Sequence, residues 1–271
     1  MSLVILPCEV FHREFDSKLL LSLRLASEYS INTLIGYDKH FLYLSRYLSD
    51  ALLMEKSCSS IMWQSRIKPI KERNGVAIIN DEEGFNNINS AKKNFWLNRV
   101  DREAVSSIDS YCCWGSVDKE FFGYIPELKP KMKIMGNCRS DLLGEIGRDY
   151  YKEEAQGLNS IFGDFILCTD NFCIEHRQGD YIPPKFNNSD EENTASRHEY
   201  LLGMEEQKIK REYFANMIEK ASKQFRDKTF IIRPHPMAKP NWWEERFEEF
   251  KNVRVLYLMG IEPWLHSANC V

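Results

Sequence analysis

The sequence predicts an α/β protein made of two doubly wound domains with parallel sheets, the second of them incomplete. Short apolar runs alternate with helical patterns along the chain, which is typical of strands joined by crossover helices. A polar break near residue 140 separates two such series, and 271 residues are enough for two domains. We therefore expect a first domain over residues 1–140 and a second over residues 141–271.

The first domain is predicted to contain six strands, at residues 3–6, 31–35, 51–54, 76–79, 110–114 and 133–135. A helix over residues 13–29 places Leu19, Leu23 and Ala26 on one face. A second helix, over residues 59–73, has Ser59 as its N-cap and stops before Gly75. This series predicts a complete Rossmann-like sheet.

The second domain is predicted to have three strands, at residues 164–168, 229–232 and 253–257. A long helix over residues 199–226 carries Tyr213, Met217, Ala221 and Phe225 at four-residue spacing. Residues 178–196 are rich in polar residues and proline, which predicts a surface excursion. Because a doubly wound domain usually continues for two or three more strand–helix units, we expect that this one is cut short.

Composition excludes several classes of function. A formal net charge of -4 argues against a non-specific nucleic-acid binder, so a phosphate-bearing ligand needs a local site. No apolar run approaches the roughly 20 residues of a membrane-spanning helix. The eight cysteines show no CxxC pair, which fits a reducing, cytoplasmic location. No metal site is predicted, because the clusters of carboxylates in this sequence lack a second group of ligands at metal spacing. No cofactor is predicted either.

An acidic segment follows the predicted strand at residues 76–79. Asp81, Glu82 and Glu83 stand there directly before Gly84. Ligands of open α/β sheets bind beyond the carboxyl ends of the strands. Crowding of like charges raises the pKa of at least one carboxyl group, which suits a general base. The alternative is a polar loop that caps the next element.

The strand at residues 229–232 ends in Arg233-Pro234-His235-Pro236. The two prolines restrict the backbone and so aim the His235 side chain. An imidazole beside a guanidinium can hold a phosphate by charge-assisted hydrogen bonds. A purely structural histidine is the alternative.

Two weaker polar groups also follow strands. Glu9, Arg13 and Lys18 lie between the first strand and the first helix, where Arg13 or Lys18 could meet an anionic acceptor or a donor carboxylate. Solvated side chains at a helix start are the alternative. Thr169 and Asn171 follow the strand at residues 164–168 and could bind ribose or phosphate. Neither GxGxxG nor GxxxxGK[ST] occurs, so ordinary dinucleotide and P-loop sites lose their main support.

The acidic–Gly motif and the His–Pro motif together resemble the motif pair of GT-B sialyltransferases and bacterial Kdo transferases. In those families the carboxylate before the glycine is catalytic and the His–Pro pair binds the CMP phosphate. The resemblance implies a catalytic role for Glu83, with Glu82 beside it, and donor binding by His235 and Pro236. Glu83 stands where these families often have aspartate.

A narrower resemblance covers nearly the whole chain. Six segments look like landmarks of bacterial surface carbohydrate biosynthesis proteins, in order: residues 5–9, 13–21, 81–84, 136–143, 163–167 and 233–236. This resemblance implies two Rossmann-like domains of the GT-B type. It also implies a nucleotide-sugar and a glycan acceptor as partners, with peripheral contact at the inner membrane if the acceptor is lipid-linked.

The resulting hypothesis is transfer of a Kdo-like or sialic-acid-like sugar from a CMP-sugar to a glycan of lipopolysaccharide or capsule. His235 would stabilise the departing phosphate, and Arg233 would assist or orient it. Glu83 would act as a general base, giving inversion, or as a nucleophile, permitting retention. Two alternatives stay open: a UDP-sugar epimerase of the same fold, and a non-catalytic subunit that binds glycan or nucleotide.

Overall fold

The computed structural model describes residues 3–81, 100–172, 191–235 and 241–271. The chain divides into two compact units, Met1–Gly147 and Arg148–Val271. Each unit is built around its own parallel sheet. None of the helices in the described ranges combines the length and apolar character that crossing a membrane requires.

The described part of the first unit contains a six-stranded sheet in the order β2-β1-β3-β4-β5-β6. Every neighbouring pair is parallel, so the carboxyl ends of all six strands lie along one edge. The strand order reverses between β1 and β3, which is where open α/β sheets have their ligand crevice. The strands are β1 Leu3–Cys8, β2 Asn32–Tyr37, β3 Leu52–Glu55, β4 Val76–Asn80, β5 Ser110–Cys113 and β6 Met132–Ile134. The six predicted strands are confirmed, with bounds shifted by at most two residues.

Short and long helices connect these strands: α1 Phe11–Tyr29, α2 Phe41–Leu44, α3 Ser60–Met62, α4 Lys68–Lys71, α5 Arg102–Ser107, α6 Ser116–Phe122 and α7 Cys138–Asp141. A π-helical turn, Trp63–Ile67, joins α3 to α4. The Ser59 side chain accepts a hydrogen bond from the Met62 N–H at 3.5 Å, which confirms the predicted cap.

Asn74 and Gly75 stop the helical segment that ends in α4. Asn74 adopts a left-handed conformation with φ 59°. A Cβ on Gly75 would lie 2.8 Å from the backbone oxygens of Ala51 and Ile70, so only glycine allows the chain to turn into β4 here. This is the stop that the sequence predicts.

The described part of the second unit contains three parallel strands in the order β7-β8-β9, again as predicted. The strands are β7 Phe165–Thr169, β8 Thr229–Arg233 and β9 Val253–Val255. The helices are α8 Glu145–Tyr150, which crosses the division between the units, α9 Lys152–Phe162, α10 Glu191–Gln224, α11 Asn241–Phe247 and α12 Glu262–Ser267. Buried Trp243 and Trp264 fill the space between the sheet and its helices.

The prediction of a surface excursion over residues 178–196 is wrong for its last six residues, which are helical. Residues 173–190 lie outside the described part, but α10 already begins at Glu191. Its first residues are polar and are good helix formers, and such a sequence can start a long exposed helix. The sequence also predicts a helix over residues 244–250, and the structure has it three residues earlier, at Asn241–Phe247.

The predicted apolar faces of two helices are not the buried faces. In α1, Leu23 is 56% exposed, whereas Glu14 and Ser17 are buried. In α10, Tyr213 is 73% exposed, and the buried apolar residues are Ala215 and Ile218. A spacing of four residues drifts by about 40° per step around a helix, so the predicted stripe of α10 does not stay on one side.

Candidate functional site

The carboxyl end of β4 is held by side chains from two neighbouring connections. The Asp81 carbonyl accepts hydrogen bonds from Trp114 Nε1 at 2.7 Å and from Asn137 Nδ2 at 2.9 Å. Asn80 Nδ2 donates to the Gly136 carbonyl at 3.0 Å. The backbone at the start of the acidic segment is therefore fixed by residues that follow β5 and β6.

The predicted catalytic residues Glu82 and Glu83 lie outside the described residues. The described residue next to them is Asp81, which is buried. Asn137, which anchors Asp81, also caps α7, because its Oδ1 accepts the Arg139 N–H at 2.9 Å. One asparagine thus links the start of the acidic segment to the first turn of α7.

The predicted group Glu9, Arg13 and Lys18 gathers around a fourth residue, Glu14. The buried Glu14 carboxylate accepts the N–H groups of Val10 at 3.0 Å and Glu9 at 3.3 Å, and so caps the start of α1. Lys18 Nζ lies 2.6 Å from Glu14 Oε2, and an Arg13 guanidinium nitrogen lies 3.5 Å from Oε1. The structure brings the predicted residues together through Glu14.

A small pocket opens at the carboxyl ends of β1, β3 and β4. It encloses about 30 Å³, and we call it the basic pocket. The charged and amide side chains that define it are Glu14, Lys18, Glu55, Lys56, Asn80, Asn137 and Arg139. Lys56 forms an ion pair with Glu9 at its rim. Three of the lining side chains are basic and two are acidic.

Glu55 is the last residue of β3 and lines this pocket. Its carboxylate is paired with Arg66. Arg66 Nε lies 2.7 Å from Glu55 Oε2, and Arg66 also contacts Asp38 Oδ2 at 3.2 Å. The Glu55–Arg66 contact is an ion pair without hydrogen-bond alignment. Burial raises the pKa of Glu55, although the Arg66 charge acts in the opposite direction. The positive charge of Arg66 therefore compensates the negative charge of Glu55.

In the second unit, the carboxyl ends of β7 and β8 form the predicted donor site. Thr169 and Arg233 are register partners, so Thr169 and Asn171 lie at the same edge as the His235 turn. Asp170 is buried between them: its Oδ1 accepts the His235 N–H at 2.8 Å and its Oδ2 accepts Trp243 Nε1 at 2.6 Å. A single carboxylate fixes the turn that carries His235. Pro236 lies outside the described residues.

Arg233 is directed at its own chain. Its guanidinium donates to the carbonyls of Leu258 at 2.6 Å, Met259 at 2.9 Å and Gly260 at 2.9 Å, and lies 5.2 Å from the centre of the Trp264 ring. Burial lowers the pKa of Arg233 to about 10. The sequence left two roles open for Arg233, assisting or orienting. These contacts fit the orienting role.

Tyr257 adds a hydroxyl group near the same edge, beyond the end of β9. Burial and the Asp170 carboxylate raise its pKa, so the phenol keeps its proton and is a hydrogen-bond donor at neutral pH. In the described part of the chain, no cluster of three or more His, Cys, Asp or Glu side chains is placed to hold a metal ion.

Sequence reasoning missed Lys56 and Arg139. It grouped Asp170 with its two neighbours after β7 but did not assign it the role of fixing the His235 turn. Lys56 directly follows β3, so the rule that ligands meet the carboxyl ends of parallel strands would have selected it. The rule does not select Arg139, because this residue lies in α7 and not directly after a strand. The path of the chain from β6 into α7 brings it to the pocket.

No family model matches the chain, and no curated protein sequence matches it. Solved structures are similar. The UDP-GlcNAc 2-epimerase from Neisseria meningitidis, bound to UDP-GlcNAc, aligns with 98% of this chain and 74% of its own, with TM-score 0.54 and 11% identity. The S. aureus MnaA–UDP structure aligns with 98% of this chain and 71% of its own, with TM-score 0.56 and 10% identity.

The wall teichoic acid polymerase TagF is a third similar structure. It aligns with 99% of this chain and 64% of its own, with TM-score 0.53 and 8% identity. At these identities the likeness shows the fold alone. Since the matches span nearly the whole chain, the predicted fold of Rossmann-like domains of the GT-B type is confirmed.

Proposed function

We propose that this protein is a glycosyltransferase of surface polysaccharide biosynthesis that takes a Kdo-like or sialic-acid-like sugar from a CMP-sugar. The acceptor is a glycan of lipopolysaccharide or capsule, lipid-linked where assembly takes place at the inner membrane. The observation that carries the proposal is the buried Asp170 carboxylate, which fixes the His235 turn at the carboxyl edge of the second sheet. A histidine whose backbone is fixed in this way can contact a ligand at one defined position.

The donor half of the reaction belongs to the second unit. His235 donates a hydrogen bond to the CMP phosphate as the bond to the sugar breaks, and so stabilises the leaving group. Thr169 and Asn171, exposed at the neighbouring strand end, contact the ribose or the phosphate. Arg233 holds the carbonyls of residues 258–260.

The acceptor half belongs to the first unit. Glu83 takes the proton of the acceptor hydroxyl, or attacks the sugar and forms a covalent intermediate, with Glu82 beside it. The doubly anchored Asp81 carbonyl supports this assignment, because it fixes the chain one residue before Glu82. The proposed chemistry uses protein side chains alone and needs neither a metal ion nor a cofactor.

A UDP-sugar epimerase is the second candidate. It is favoured by one observation: the similar structure from Neisseria meningitidis is a UDP-GlcNAc 2-epimerase bound to UDP-GlcNAc. A non-catalytic subunit is the third candidate, and it predicts binding without turnover that Glu83→Gln leaves unchanged.

Calorimetric titration of CMP, CDP and UDP into this protein separates the first two candidates. We expect CMP to bind most tightly and His235→Ala to weaken it by at least about ten-fold, the loss of one charge-assisted hydrogen bond. His198→Ala is the matched control, because His198 is exposed on α10 of the same unit. Tighter binding of UDP than of CMP would contradict the proposed donor and favour the epimerase.

A further inference from the structure

A guanidinium nitrogen in the basic pocket lacks a hydrogen bond. Arg139 Nε is buried and has no partner among the described residues. The backbone N–H of the same residue is bound by Asn137, so the residue itself is held in place. A buried donor without an acceptor is unfavourable, and an incoming acceptor atom relieves it. The orphaned nitrogen is therefore an argument for a ligand.

The acidic side chains of the pocket are already occupied by protein donors. The Glu14 carboxylate accepts two backbone N–H groups and pairs with Lys18. Glu55 accepts the Lys56 N–H at 2.9 Å through Oε1 and pairs with Arg66 through Oε2. The lining carries three basic and two acidic side chains, and Arg66 outside the lining pairs with Glu55, so a ligand in the pocket meets a net positive charge.

Lys18, which pairs with Glu14, and Lys56, which pairs with Glu9, lie beside Arg139 in this lining. Their side chains are 13% and 14% exposed, so both are largely withdrawn from water. A lysine ammonium has three donors, and Lys18 uses two of them on Glu14 and the Pro7 carbonyl. Two ammonium groups and a guanidinium around one small space form a site for an oxyanion.

The size of the pocket favours a small oxyanion group. Its 30 Å³ corresponds to about two water-sized spheres, which is room for two oxygen atoms. A carboxylate has two oxygens and a phosphate group has more, whereas the fork of an arginine side chain matches both.

We propose that the basic pocket binds the carboxylate of a sugar acid, with Arg139, Lys18 and Lys56 as its donors. This inference rests on the proposed function, which it deepens by assigning the acidic group of the substrate to named residues. Lys18 was expected from the sequence to meet an anionic group, and Arg139 and Lys56 are added by the structure.

The test is calorimetric titration of the full chain with N-acetylneuraminate, with its methyl ester and with inorganic phosphate. The ester replaces the charged carboxylate by a neutral methyl ester and leaves the rest of the sugar unchanged. We expect the acid to bind at least about ten-fold more tightly than the ester, and Arg139→Gln to remove that preference. Arg24→Gln, on the exposed side of α1, is the matched control and should leave acid binding unchanged.

Three results would overturn the inference: equal binding of acid and ester, acid binding that Arg139→Gln does not change, or tighter binding of phosphate in competition with the acid. If Arg139→Gln does not fold, Lys56→Gln replaces it with the same expectation. CMP affinity, measured in the same variants, should stay at the wild-type value. If the wild type binds the acid but does not bind CMP, the proposed donor is rejected and the assignment of the pocket stands.

Discussion

At the scale of single residues, Asp170 has the largest effect on the proposed donor site. Its two oxygens connect the end of β7 to the His235 backbone and to the Trp243 indole of α11. Both donors are held by a carboxylate that is itself buried. Such bonds to a charged acceptor contribute more than neutral ones, roughly 1.5–3 kcal/mol each.

We expect Asp170→Asn to lower the free energy of unfolding by about 2 kcal/mol and to weaken CMP binding by about ten-fold. An amide can accept only one of the two N–H groups and presents its own NH₂ to the other. Urea denaturation and CMP titration measure the two effects. Asp227→Asn is the control, since that side chain is 78% exposed. Unchanged CMP affinity in a destabilised Asp170→Asn variant would separate Asp170 from the donor site.

Arg233 offers a second test at this scale. Its guanidinium holds three consecutive carbonyls, a geometry that a lysine ammonium does not reproduce. We expect Arg233→Lys to lower the free energy of unfolding by about 2 kcal/mol because at least one buried carbonyl loses its donor. Thermal and urea denaturation check this, with Arg226→Lys, exposed just beyond the end of α10, as the control. Wild-type stability combined with lost CMP binding would instead place Arg233 in direct contact with the nucleotide.

At the scale of elements, the π-helical turn at Trp63–Ile67 is coupled to β3 by buried charges. Arg66 and Glu55 are each 1% exposed at their side chains, and Asp38 joins them from the connection after β2. We expect Arg66→Met to lower the free energy of unfolding by about 3–5 kcal/mol, because Glu55 is left buried without a counter-charge. Urea denaturation measures the change, and the exposed Arg46→Met is the control.

The double variant Arg66→Met, Glu55→Gln tests the cause. Neutralising Glu55 should recover a large part of the loss, since an uncompensated charge is then absent. If the double variant were less stable than the single one, the loss would come from packing of the Arg66 side chain and not from its charge.

The sequence predicted the strands better than the buried faces of the helices, for a physical reason. A strand buried in a parallel sheet is apolar along its length, so β1, β4 and β8 stand out without knowledge of their neighbours. A helix face is decided by its contacts. In α1 the buried Glu14 is satisfied by two backbone N–H groups at its own helix start, and this makes burial of a carboxylate tolerable.

At the scale of the whole molecule, the fold explains how much of the candidate site could be predicted. Parallel strands bring their carboxyl ends to one edge, so Thr169 and His235 could be expected to meet before their register was known. The fixing contacts could not be predicted in the same way. Asp170 reaches Trp243 across 73 residues of sequence, and Asn137 reaches Asp81 across 56.

The central claim is glycosyl transfer from a CMP-sugar, and donor turnover tests it most directly. The measurement is CMP release from CMP-N-acetylneuraminate and CMP-Kdo, alongside 2-epimer formation from UDP-GlcNAc, for the wild type and Glu83→Gln. We expect CMP release by the wild type, a loss of at least about a hundred-fold in Glu83→Gln, as for removal of a general base, and no epimer. Epimer formation without CMP release would contradict glycosyl transfer from a CMP-sugar.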